Sequence, residues 1–95
     1  MKGSCQVATG FGQNLVRCRR QARLSQEELG YRAGLHRTEI GLLERGERTP
    51  RADTIVKLAG SLSVPAGELL AGLEWAPGRI EVVEGGFKVG RGPEA

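Results

Sequence analysis

Two short helices joined by a turn of about three residues are written into Leu24–Glu47, LSQEELGYRAGLHRTEIGLLERGE. Ser25-Gln26-Glu27-Glu28 is a capping box. The Ser25 hydroxyl accepts from the Glu28 N–H, and the Glu28 carboxylate accepts from the Ser25 N–H. Leu24 before the cap and Leu29 in the first turns form a hydrophobic staple. Gly34 adopts the left-handed conformation at little cost and stops the helix after Ala33. A second helix starts at His36 or Arg37, turns Ile40 and Leu43 inward, and stops at Gly46. So short a connection cannot lay the second helix back along the first. It sets the pair at a steep angle, roughly 90–120°.

The second helix opens on polar residues. Arg37, Thr38 and Gly41 fall at its tip or on the face opposite Ile40 and Leu43. Such a tip suits reading in a DNA major groove. Arg can donate two N–H groups to guanine O6 and N7, and Thr offers a hydroxyl and a methyl to a base edge. Helix N-termini and Gln26 can donate to phosphates. The plainer reading is that an exposed Arg-Thr pair only solvates a helix start.

Around this pair the chain reads as further helix. Residues 1–9 are expected to be a flexible arm. Phe11, Leu15, Cys18 and Ala22 recur at helical spacing, with Arg17, Arg19, Arg20 and Arg23 crowding the rest of that helix as a solvated basic face. Pro50 bars helix at Thr49, and Ile55, Leu58, Ala59 and Leu62 restart the helical period. Val64-Pro65 breaks it, and Ala66–Leu70 forms a last short helix. Beyond Gly72 the composition shifts. Arg79–Val83 and Phe87–Val89 are β-prone and flank Glu84-Gly85-Gly86, which predicts a hairpin. The expected organisation is an arm at 1–9, a helical domain at 10–73 and a tail at 74–95.

With 95 residues the chain has room for one core, and with 4% aromatics that core is mostly aliphatic. No apolar run reaches the ~20 residues of a membrane helix, and the first residues lack the apolar core of a secretion signal. A cytoplasmic location is expected, with no membrane partner. Cys5 and Cys18 have no companions at zinc spacing, so no metal site is expected; the first reads as a mobile thiol and the second as a buried one. His36 is the one histidine and reads as a turn or cap residue. No nucleophile, base and orienting group come together, and no glycine-rich phosphate loop is present, so neither an enzyme nor a cofactor is expected. Residues 1–73 carry eleven Lys/Arg against seven Asp/Glu, and the tail three against four. A basic body with a mildly acidic tail is compatible with a polyanionic partner.

Taken together, LSQEELGYRAGLHRTEIGLLERGERTPRADTIVKLAGSL resembles the Xre-type helix-turn-helix domain of phage repressors, Cro proteins and restriction–modification controller proteins. The shared positions are Leu24-Ser25-Gln26, Leu29, Gly34, Ile40, Glu44, Gly46, Pro50 and Leu58-Ala59, within residues 11–73. The resemblance implies an all-α, lambda-repressor-like domain of about five short helices. Its second helix would cross the DNA backbone and its third lie in the major groove. Carried over by position, Arg37 and Thr38 read bases, Gln26 touches phosphate and braces the reading helix, and Arg45 and Arg48 grip the backbone. Leu42 departs from a position often polar in the family; it contacts a thymine methyl or finishes the core edge. Arg19, beside core Cys18, and Glu44, after core Leu43, are expected to form a partly buried ion pair, and the resemblance points to the same pair.

The function implied is a sequence-specific regulator of transcription on double-stranded DNA, with a palindromic operator and a homodimer, and without a small-molecule ligand. The alternative is a protein-binding module of the same fold, an antitoxin or anti-activator. Leu69, Leu70 and Leu73 offer one dimer surface. The tail offers another, by pairing strand edges with a second copy, unless it folds onto its own subunit or stays disordered.

Overall fold

The computed structural model of the chain describes residues 2–78 and 85–89. Five helices run in order, α1 (Lys2–Gln21), α2 (Gln26–Ala33), α3 (Arg37–Glu44), α4 (Ala52–Leu62) and α5 (Ala66–Leu69), followed by strands β1 (Leu73–Ala76) and β2 (Gly86–Val89). Phe11, Leu15, Leu29, Ile40, Leu43, Leu58 and Leu69 are wholly buried and draw all five helices onto one core. Phe11 is its one aromatic ring.

The local stop and start signals act as their chemistry dictates. Ser25 caps α2 with both capping-box hydrogen bonds, and Gly34 closes it at φ 72°. His36 caps α3, its Nδ1 accepting from the Thr38 N–H at 3.0 Å. Two glycines then set how closely the helices meet. A β-carbon on Gly30 would stand 2.5 Å from the Leu35 carbonyl oxygen, so the turn can fold tightly over α2. One on Gly12 would stand 2.5 Å from the Leu43 carbonyl oxygen, where α1 crosses the end of α3.

The first correction concerns the N-terminus. Residues 2–9 are not an arm but the first turns of α1. Ala8 is buried one turn before Phe11 and extends the same apolar stripe, and Thr9 lies against Gly46 beyond α3. These are tertiary contacts, and they override the loop-like composition of the segment. Cys18 is buried among the core residues, and the burial pushes its thiol pKa up; Arg17 opposes that shift and Glu68 adds to it. The Cys5 side chain lies outside the described residues.

The second correction concerns α5. Leu69 is fully buried rather than part of an outer surface, and Leu73 belongs to β1. The buried Asn14 amide donates to the carbonyls of Leu69 and Ala71, at 3.0 and 2.9 Å, and so ties the end of α5 to α1. Arg17, expected to be solvated, reaches the Glu68 carboxylate at 3.6 Å from the same helix.

The third concerns the hairpin. β2 covers the expected Phe87–Val89, but its antiparallel partner is Leu73–Ala76, with Trp75 opposite Phe87 and Glu74 opposite Lys88. The strand expected at residues 79–83 lies outside the described residues. Trp75 and Phe87 pack edge to face at 5.0 Å, a favourable aromatic geometry, and both rings stay substantially exposed. β2 lies beside α1 of its own subunit. No helix among the described residues is long and apolar enough to cross a membrane.

Candidate nucleic-acid interface

α3 is eight residues long, too short to hold its place by its own hydrogen bonds, so its orientation depends on what it is fastened to. Ile40 and Leu43 anchor one side in the core. The far end is held by Glu44. Its Oε2 accepts from Arg19 Nε at 2.5 Å, and its Oε1 accepts from Arg19 Nη2 at 3.1 Å and from Gln26 Nε2 at 2.9 Å. Arg19 also donates to the Leu24 carbonyl at 2.8 Å. One carboxylate therefore joins the end of α1, the start of α2 and the end of α3. The Glu44 side chain is only 5% exposed and that of Arg19 13%, so the pair is nearly dry and its forked geometry is what compensates for the lost hydration.

With its base locked, α3 presents its first turn outward. Arg37 and Thr38 are exposed. A cleft between the start of α2 and the outer side of α3 is lined by Ser25, Gln26, Arg37, Thr38, Gly41 and Arg45, among others. Four of the residues expected from sequence to touch DNA, Gln26, Arg37, Thr38 and Arg45, thus share one concave surface. Arg48 does not line it; it pairs instead with Glu39, on the first turn of α3. Leu42 is half-buried and does not line the cleft.

The electrostatics of this face are less purely basic than its arginines suggest. Arg45 pairs with Glu47 at 3.1 Å, and Arg48 with Glu39. The Glu39 pair is not legible in the sequence, because Glu39 and Arg48 are nine residues apart and meet only through the loop after α3, whereas Arg45 and Glu47 are two residues apart. Among the described residues no group of three or more His, Cys, Asp or Glu side chains could hold a metal ion.

This arrangement has close counterparts. The helix-turn-helix family model HTH_3 matches residues 15–69. The uncharacterized HTH-type transcriptional regulator y4dJ of Sinorhizobium fredii is 38% identical over 66 residues, covering 70% of this chain and 86% of that one. The crystal structure of the restriction-modification controller protein C.AhdI from Aeromonas hydrophila superposes with a TM-score of 0.64 at 40% identity, over 65% of this chain and 94% of that one. The P22 c2 repressor, solved in complex with a synthetic operator, superposes with a TM-score of 0.60 at 25% identity, over 63% of this chain and 91% of that one.

Proposed function

Because this chain belongs to the HTH_3 helix-turn-helix family, whose relatives are named as transcriptional regulators, we propose that it regulates transcription by binding double-stranded DNA sequence-specifically through α3. One observation carries the reading: Arg37 and Thr38 stand free at the tip of a helix whose other end is locked to the scaffold through Glu44. A rigid mount with a polar tip is what discrimination between base edges needs, since a bidentate Arg–guanine contact depends on placement. In this reading Arg37 and Thr38 meet bases. Gln26, Arg45 and Arg48 meet phosphates, with Gln26 also bracing Glu44.

One short helix covers few base pairs, so two copies act on a palindromic site. The exposed side chains of Leu70, Trp75 and Phe87 support a contact between copies on the hairpin side of the molecule. β2 lies against α1 of its own subunit, which favours a contact through the exposed rings over the strand-edge pairing expected from sequence.

Selection of binding sites from random duplex DNA tests the proposal. The expected result is one enriched sequence with two-fold symmetry. Absence of any enriched sequence would favour a protein-binding module of the same fold.

A further inference from the structure

We infer that Glu39 is a specificity-determining residue of α3, whose carboxylate Arg48 holds in the free protein and releases to a cytosine amino group when Arg48 moves to phosphate. The inference rests on the DNA-reading role proposed for α3.

Glu39 directly follows Arg37 and Thr38 on the first turn of α3. Its side chain is 25% exposed and its Arg48 partner 52%, so the pair stands at the protein surface on the same first turn that carries Arg37 and Thr38. An unpaired carboxylate there would be repelled by phosphates and by the base-edge acceptors that dominate the major groove. In the free protein Arg48 neutralises it. On DNA, phosphate competes for the same guanidinium. An exposed Arg–carboxylate pair is worth at most about a five-fold factor, so phosphate contacts can draw Arg48 away.

The freed carboxylate then has few acceptable neighbours. Cytosine N4 and adenine N6 are the amino donors in the major groove. Adenine sets its N7 acceptor beside N6, where it repels the second carboxylate oxygen. Cytosine has no acceptor adjoining N4 on that edge. Glu39 therefore favours cytosine and penalises other bases.

Glu47 provides the contrast. It forms a comparable exposed pair with Arg45, but it lies beyond the end of α3 at Glu44 and so off the reading helix. Its removal changes charge equally without touching a base edge.

The test uses the full chain and the site enriched by the wild-type protein, with all single-base variants and random duplex, titrated across salt. Glu39→Gln is expected to bind random duplex about two- to five-fold more tightly. Its salt dependence should keep the wild-type log–log slope, because Arg48 reaches phosphate in both proteins. At one C·G position it should lose about 5- to 150-fold of discrimination. Glu47→Gln is expected to tighten binding to all sequences alike and to keep every base preference. An enriched site read identically by wild type, Glu39→Gln and Glu39→Ala, with circular dichroism unchanged, overturns the inference and leaves the DNA reading standing. Wild-type protein that enriches no site overturns the DNA reading itself.

Discussion

The Arg19 guanidinium grips the Glu44 carboxylate through two nitrogens, Nε at 2.5 Å and Nη2 at 3.1 Å, and this bond across 25 residues decides where α3 points. Removing one member leaves the other nearly dry and unpaired. Glu44→Ala is expected to destabilise the protein by about 3–5 kcal/mol in urea unfolding. Glu44→Gln should cost less, since its amide oxygen still accepts from Arg19. Equal stability of Glu44→Ala and wild type would show that the pair does not hold the fold.

Reading and gripping separate by mutation. Arg37→Ala is expected to cost about 1–3 kcal/mol on the enriched site and to relax preference at one base pair. Arg48→Ala should weaken binding to all sequences and lower the salt slope by about one. Equal losses on specific and random DNA for both variants would remove Arg37 from the base-reading role.

Asn14 is a buried clamp between α1 and the end of α5. Asn14→Ala strands the Leu69 and Ala71 carbonyls, so a loss of about 1–3 kcal/mol is expected, with fast hydrogen exchange appearing first after Leu69. A change within about 0.5 kcal/mol, as for an ordinary surface substitution, would contradict the clamp.

The capping box carries a pH signature. The Ser25 backbone N–H, and after it the Ser25 hydroxyl, hold the Glu28 carboxyl below its ordinary value. A carboxyl depressed in the folded state stabilises the fold above its unfolded pKa, about 4.3 for glutamate, and that contribution fades as pH falls through the folded value. Thermal melts of wild type and Glu28→Gln should therefore differ at neutral pH and converge as pH falls through the depressed folded-state pKa of Glu28. A difference that persists unchanged into acid would point to packing rather than charge.

The exposed aromatic pair is expected to join two copies. Replacing both Trp75 and Phe87 with alanine should shift sedimentation towards monomer and weaken binding to a two-fold site more than to a half-site. Unchanged sedimentation would place the contact elsewhere.

Some of this molecule is legible in the sequence because its determinants are local. The α2 and α3 boundaries follow from Ser25, Glu28, Gly34 and His36, each acting on backbone within a few residues. The apolar stripe of Phe11, Leu15 and Cys18 is read from helical period alone. The rest needed the fold. Lys2–Thr9 is helical because Ala8 finds the core and Thr9 lies against Gly46, though its glycine and serine suggest loop. Leu69 looked like an outer residue until Asn14, 55 positions earlier, drew α5 inward. β1 formed at Leu73–Ala76 because Trp75 met Phe87 across the strand pair. Glu39 became part of the arginine face only when the loop after α3 brought Arg48 back to its first turn. Caps, stops and periods act through neighbouring backbone and side chains, so they survive as patterns in a string of letters. Burial, clamping and ion pairing depend on which distant surfaces meet, and those meetings exist only once the chain has folded.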